Sequence, residues 1–181
     1  MTTADTSSAE RGTCLVTGGA GFIGTAMSGG LVSRFDRVVA IDNLHPQIHP
    51  RPERPTELDP AVELVVGDVT DPSAWDALLD TVRPDVVVHL AAETGTGQSL
   101  AESTRHAMTN VVGTTQMLDA LRRHDSMPRR IVLSSSRAVY GEGAWRDVAG
   151  QLYYPGQRTA EILERGEWDF PGSQPVAMAA A

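Results

Sequence analysis

The chain has 181 residues, enough for one domain with a short appendage and for a core that needs no staples. Its apolar fraction of 41% against 21% charged residues excludes wholesale disorder. A net charge of −8, from 15 basic and 23 acidic residues, argues against a nucleic-acid or anionic-membrane surface, because phosphate binding needs clustered cations. Residues 1–11 are polar, without periodicity, and read as a disordered leader that lacks a signal-peptide core. Thr13 to Thr17 is a short apolar run, a buried strand that stops at Gly18-Gly19. Phe22 to Arg34 reads as a helix with Phe22, Ile23, Met27, Leu31 and Val32 on its apolar side. Gly29-Gly30 weakens that helix by about 1 kcal/mol per glycine relative to alanine. Arg37 to Asp42 is a second strand. Residues 43–60, with Pro46, Pro50, Pro52, Pro55 and Pro60, form a loop.

Val62 to Val66 is a third strand. Asp71 caps and Pro72 opens a helix running to about Val82, with Trp75, Leu78, Leu79 and Val82 at helical spacing. Asp85 to Leu90 is a fourth strand, residues 99–124 a long helix, and Ile131 to Ser134 a fifth strand. Residues 146–181 are expected to be an irregular tail with one short helix at about 158–165. The order β-α-β-β-α-β-α-β, with continuous rather than alternating apolar strands, predicts an α/β fold: a doubly wound parallel sheet of about five strands over residues 12–145. The single cysteine, Cys14, excludes an intramolecular disulfide and a cysteine-cluster metal site. No apolar run reaches the ~18 residues of a membrane span, so the expected setting is the cytoplasm.

The strongest motif is Gly18-Gly19-Ala20-Gly21-Phe22-Ile23-Gly24, between the first strand and the first helix. In that context glycines let a backbone approach a pyrophosphate, and the helix N-terminus offers free N–H groups and a positive dipole end. The motif reads as the dinucleotide-binding turn of a Rossmann-type sheet, against the plainer reading of a tight turn between strand and helix. Asp42, closing the second strand, is placed to accept hydrogen bonds from adenosine ribose hydroxyls and to repel a 2′-phosphate, which favours NAD over NADP. Asp68 either accepts from the adenine amino group or supports the turn before the next helix, and spacing does not separate the two.

These residues carry a resemblance. Thr17 to Gly24, Asp42-Asn43-Leu44, Gly67 to Asp71, His89-Leu90-Ala91-Ala92, Asn110 to Thr114 and Ser134 to Gly141 follow one another as in the extended short-chain dehydrogenase/reductase family, the NAD-dependent epimerases and dehydratases of nucleoside-diphosphate sugars. The wording around Glu93 to Ser99 and Ser136 to Gly143 is most similar to deoxythymidine-diphosphate-sugar 4-epimerases. The resemblance implies Gly18, Gly21 and Gly24 along the pyrophosphate, with Phe22 and Ile23 covering it. It implies Asp42 and Asn43 at the adenosine ribose, and Asp68 and Val69 flanking the adenine. Leu90, Ala91 and Ala92 line the channel beside the nicotinamide ribose, with Ser134 near the nicotinamide. Asn110 is then a buried helix residue bracing the fourth strand, and Ser136 the catalytic hydroxyl that hydrogen-bonds the reacting sugar oxygen.

The family's base is a tyrosine whose pKa is lowered by a lysine four residues later, since a free phenol, with pKa about 10, is a poor base near neutrality. All 15 basic residues here are arginines. The resemblance puts Tyr-x-x-x-Lys, a sixth strand and the substrate-binding part beyond Ala181, so the chain is expected to be a truncated, catalytically incomplete form. Tyr154 and Arg158 mimic the spacing, but Pro155-Gly156 interrupts any shared helix face, and Tyr140 reads as structural. His45 and His49 read as solvated, His89 as a packed core residue, and no histidine pair has metal-ligand spacing. Three functions compete: an epimerase or dehydratase in short form, an NAD-binding module or partner subunit without turnover, and a non-functional gene remnant. The partners expected are a nucleoside-diphosphate sugar and a second copy, or a partner supplying the missing layer, with no nucleic acid and no membrane.

Overall fold

The computed structural model describes residues 12–136, Val139 and residues 141–176. The expected leader over residues 1–11 and the Tyr140 position lie outside the described residues. The chain divides into two compact units, one up to Ser134 and one from Ser135.

The first unit is built on five parallel strands: β1 (Thr13–Thr17), β2 (Arg37–Asp42), β3 (Glu63–Val66), β4 (Val86–His89) and β5 (Arg130–Leu133). They lie in the order β3-β2-β1-β4-β5. Leu15 pairs with Val39 on one side and Val87 on the other, so the three central strands run level. Elements packed on both faces cover the three central strands, which is why the middle residues of those strands are apolar. On one face Leu15, Val39, Ile41 and Val87 pack with α2 (Pro72–Leu79) and α5 (Thr114–Arg123) through Trp75, Leu79, Met117 and Leu121. On the other, Cys14, Val16, Val38 and Val88 pack with Leu58 and Val62, and with Leu31 and Val32 of α1 (Phe22–Val32). As expected, Asp71 caps α2, its carboxylate accepting from the Ser73 N–H at 2.9 Å. Trp75 is buried, its indole N–H donating to the Val69 carbonyl at 2.8 Å.

Two expectations are corrected. The packing face of α1 keeps only part of the expected apolar stripe: Leu31 and Val32 pack on the core, but Phe22 is 88% exposed, Ile23 and Met27 are also exposed, and the fully buried residues are Gly24 and Ser28. The cause is close approach, since a Cβ at Gly24 would lie 2.4 Å from the Gly19 carbonyl oxygen. The long helix over residues 99–124 is broken into α3 (Thr96–Ala101), α4 (Ser103–Ala107), a π-helical segment (Met108–Gly113) and α5. Glu102, at φ −127° and ψ 41°, leaves helical geometry and separates α3 from α4. Gly113, which ends the π segment, is pressed against Val69: a Cβ there would meet that side chain at 2.7 Å.

The second unit is more regular than the expected irregular tail. β6 (Trp145–Arg146), β7 (Leu152–Tyr153) and β8 (Gln174–Pro175) form an antiparallel sheet in the order β7-β6-β8, accompanied by α6 (Ala160–Glu164). Trp145 meets Phe170 edge-on at 5.0 Å, and the Arg158 guanidinium stacks over the same ring at 4.8 Å while pairing with Glu142. Strands of two residues carry no periodicity, so the sequence gives no sign of them.

Candidate functional site

A cavity of about 310 Å³ opens at the C-terminal ends of β1, β2 and β4. This is where connections leave a doubly wound sheet in opposite directions, because β2 and β4 flank β1. Its wall includes Gly18, Gly21, Phe22, Ile23, Asp42, Asn43, Val69, Leu90, Ala91 and Ala92, ten of the residues singled out from sequence.

The glycines divide the work. Gly18 sits at φ +65°, and a Cβ there would lie 2.7 Å from the Ala91 backbone nitrogen, so this position needs glycine to bring β1 and β4 together. Gly24 serves the packing of α1 on the turn and does not line the cavity. Gly21 is the one on the wall at the helix start. It is the N-cap of α1, makes no side-chain cap, and no acidic residue follows in the first turn. The N-terminal N–H groups and the positive dipole end of α1 therefore face the cavity uncompensated by a side chain.

Asp42 is 9% exposed and already carries local structure. Its Oδ2 accepts from the Ala20 N–H at 3.0 Å and its Oδ1 from the Leu44 N–H at 2.9 Å, where Leu44 takes φ +51°. Each carboxylate oxygen keeps a free acceptor site. The expectation that His49 is solvated is corrected: it is buried, with Nε2 3.8 Å from Asp42 Oδ1, because the proline loop folds back over the strand end. His45 is half-buried, and it lines the cavity with Gln47, Ile48 and His49, a wall that sequence reasoning missed.

Asp68 takes the turn role. Its carboxylate accepts from the Thr70 N–H and hydroxyl at 2.8 and 2.7 Å and from the Asn43 side-chain amide at 3.0 Å, and it is not on the cavity wall. Burial works to raise this carboxyl, but the bonds from Asn43 and Thr70, with His45 nearby, outweigh it and hold it below the usual carboxylate range.

Beneath the cavity lies a network that sequence reasoning did not single out. Thr17, fully buried, accepts from the Leu90 and Ala91 N–H groups at 3.2 and 3.1 Å, which leaves its hydroxyl proton to point at His89 Nδ1, 2.6 Å away. His89 Nε2 then donates to the Thr114 hydroxyl at 3.0 Å, which donates to the Asn110 carbonyl at 2.8 Å. Burial pushes the His89 imidazole below the ordinary histidine value, in keeping with this neutral tautomer.

Asn110 is exposed rather than buried, yet it braces the segment after β4: its side chain accepts from the Glu93 N–H at 2.8 Å and donates to the Glu93 carbonyl at 3.0 Å. Ser134 donates to the His89 carbonyl at 3.2 Å and lies off the cavity wall. Ser136 belongs to the second unit. Tyr154 is 74% exposed and follows β7 as loop. Among the described residues no three histidine, cysteine, aspartate or glutamate side chains gather as a metal site. No helix among them is long and apolar enough to cross a membrane.

Residues 14–155 match the NAD dependent epimerase/dehydratase family. The chain belongs to that family. Within the epimerase/dehydratase family it is 59% identical over 158 residues to the dTDP-L-rhamnose 4-epimerase of Burkholderia thailandensis, covering 87% of this chain and 44% of that protein. It is 31% identical to a bifunctional UDP-glucose and UDP-xylose 4-epimerase of Pisum sativum, covering 89% of this chain and 48% of that one. The crystal structure of Brucella ovis UDP-glucose 4-epimerase in complex with NAD is similar at a TM-score of 0.60 and 30% identity, covering 71% of this chain and 37% of that chain. The Thermotoga maritima UDP-glucose 4-epimerase with UDP-glucose is similar at 0.61 and 28% identity, over 72% and 40%. The chain spans about half the length of the curated relatives it matches.

Proposed function

We propose that this chain binds NAD in the cavity at the C-terminal ends of β1, β2 and β4, and that it serves a nucleotide-sugar 4-epimerase whose substrate is a deoxythymidine-diphosphate sugar. The observation that carries the cofactor is the pairing of two features on one wall: the uncapped start of α1 at Gly21 and the Asp42 carboxylate. The first suits a pyrophosphate and the second a pair of ribose hydroxyls. The residues fit the group, since Gly21, the least crowded glycine of the turn with only the Gly18 carbonyl oxygen 3.3 Å from a Cβ there, is the one on the cavity side of the helix start. The sugar class rests on the 59% identity to a dTDP-L-rhamnose 4-epimerase. The chemistry NAD supplies when bound is reversible acceptance of hydride from the sugar.

In this reading Gly18 and Gly21 run along the pyrophosphate, Gly24 supports them from beneath, and Phe22 and Ile23 cover it. Asp42 and Asn43 hold the adenosine ribose, with Asp68 acting through Asn43 and Val69 flanking the adenine. Leu90, Ala91 and Ala92 line the nicotinamide ribose, and Thr17 holds them in place. Ser134 lies near the nicotinamide, and Ser136 hydrogen-bonds the reacting sugar oxygen. The setting is the cytoplasm, with a second copy of the chain as partner.

One observation favours a second reading for the 181 residues taken alone. They contain no lysine, so a phenol in them has no ammonium beside it to lower its pKa. The 181-residue chain then binds NAD without epimerising a sugar. Incubation with NAD and deoxythymidine-diphosphate sugars tests this: no epimer above a blank is expected, and turnover lost on Tyr154→Phe overturns it. For the cofactor, Gly21→Val is expected to abolish NAD binding in a calorimetric titration, because a branched side chain would fill the wall where the backbone must approach. Unchanged affinity in that variant overturns the assignment of the phosphate site.

A further inference from the structure

The two loops that wall the cavity leave from strands on opposite sides of β1: the proline loop from β2, and the segment after β4. Side chains tie them together across the gap. Gln47 of the proline loop donates from Nε2 to Gln98 Oε1 on α3 at 2.8 Å, and accepts at Oε1 from Arg105 Nη2 on α4 at 3.0 Å. The same Arg105 nitrogen lies 3.3 Å from Glu93 Oε2, directly after the Leu90-Ala91-Ala92 wall, and Arg105 Nε lies 3.0 Å from Glu102 Oε2. Gln47 and Glu93 both line the cavity. Arg105 is thus the hub of a bridge between the two lips. The Glu93 carboxylate is only 13% exposed, so this is not a loose surface pair. The break at Glu102 separates α3, which carries Gln98, from α4, which carries Arg105.

We infer that the Gln47–Arg105–Glu93 bridge is a clasp over the bound dinucleotide that sets how slowly the cofactor leaves, with Arg105 as a positioning residue and Gln47 as its latch. This rests on the proposed NAD site. A ligand lying across the glycine turn from Asp42 toward Ala92 passes between the two tethered lips, so the tether must open before the ligand departs. Cutting it speeds release more than it slows entry, as most affinity changes do. A merely structural Arg105 would instead lower the melting temperature of the free chain and leave release untouched.

The test follows release directly: NADH bound to the 181-residue chain is chased with excess NAD and its fluorescence followed in stopped flow, with thermal melts of each free protein alongside. Gln47→Ala leaves every ion pair intact but loses the bonds to both Gln98 and Arg105, and is expected to release NADH at least about fivefold faster, fivefold being the scale of a single hydrogen bond. Arg105→Lys keeps a cation beside Glu93 and Glu102 but loses the planar fork that also reaches Gln47. It is expected to keep the wild-type melt and to release NADH faster than the wild type but no faster than Gln47→Ala, because the Gln47–Gln98 bond across the gap survives. The double variant should release no faster than Gln47→Ala, because that variant has already lost both bonds across the gap. Release at the wild-type rate in both single variants overturns the clasp alone. Failure of the wild-type chain to take up NADH overturns both the clasp and the NAD site beneath it.

Discussion

One carboxylate, Asp42, joins three parts of the site. It fixes the glycine turn through the Ala20 N–H, fixes the left-handed Leu44 through its N–H, and keeps acceptor sites toward the cavity. Asp42→Asn keeps the shape but removes the charge and one acceptor. Its NAD-over-NADP preference should fall by more than about tenfold, the scale of a contact to a charged group, when both cofactors are titrated calorimetrically. An unchanged preference would mean that the charge does not face the ribose. The Asp42 position was legible because it ends a strand after a glycine turn. His49 was not, because proline-rich loops carry no period that tells which side chain turns inward.

His89 makes a pH prediction. Its imidazole is held below the ordinary histidine value by burial, so as the pH drops through about 6.5 the unfolded chain takes up a proton that the folded one refuses. The unfolded state then binds more protons, and stability falls with falling pH until the folded-state value is passed. The contribution is fully present above about 6.5 and is lost below it, by at most about 1.4 kcal/mol per pH unit from this one group. Urea midpoints at pH 7.5 and 5.5 should show the fall, and His89→Gln should reduce it. An equal fall in that variant assigns it to other groups.

At the scale of elements, the sheet was readable and the helices less so. Strands β1, β2 and β4 are apolar on both faces, and that pattern has few other meanings. In helix α1 the spacing marks Leu31 and Val32 correctly but not the contact nearer its start, which is made by Gly24 and Ser28, small residues that let the backbone come close and leave no hydrophobic signature. Gly24→Ala should therefore lower the unfolding free energy by about 1–3 kcal/mol, since the nearest atom is backbone and cannot rotate away. A melt within error of the wild type would contradict this packing account. The break at Glu102 and the π segment that follows are not legible in the sequence because residues 102–106 carry neither glycine nor proline to mark a helix end, and Leu100 and Met108 on either side are spaced as one helix would space them. Thr109 on the cavity wall and Asn110 against Glu93 both come from that π segment, which is where such segments are commonly found.

Across the whole molecule, parallel order and the switch between β1 and β4 determine where a ligand sits, and both were implied by the chain order of motifs. Apolar surface remains on the first unit. Leu133 of the edge strand β5 is 63% exposed and Leu100 on α3 is 87% exposed, with Met108, Val111 and Leu118 also open. Among the described residues β5 is the last strand of its sheet, and a sheet edge beside exposed apolar side chains favours association. Light scattering of the 181-residue chain should show mass rising with concentration, and a monodisperse monomer with a sharp melt would contradict this.

This family member is expected to hold NAD between the start of α1 and Asp42. Calorimetric titration of the chain with NAD and then NADP tests it most directly. The account predicts one saturable site for NAD and weaker binding of NADP, with the NAD heat lost in Gly21→Val. NADP binding as tight as NAD, or no saturable heat with either, would contradict it.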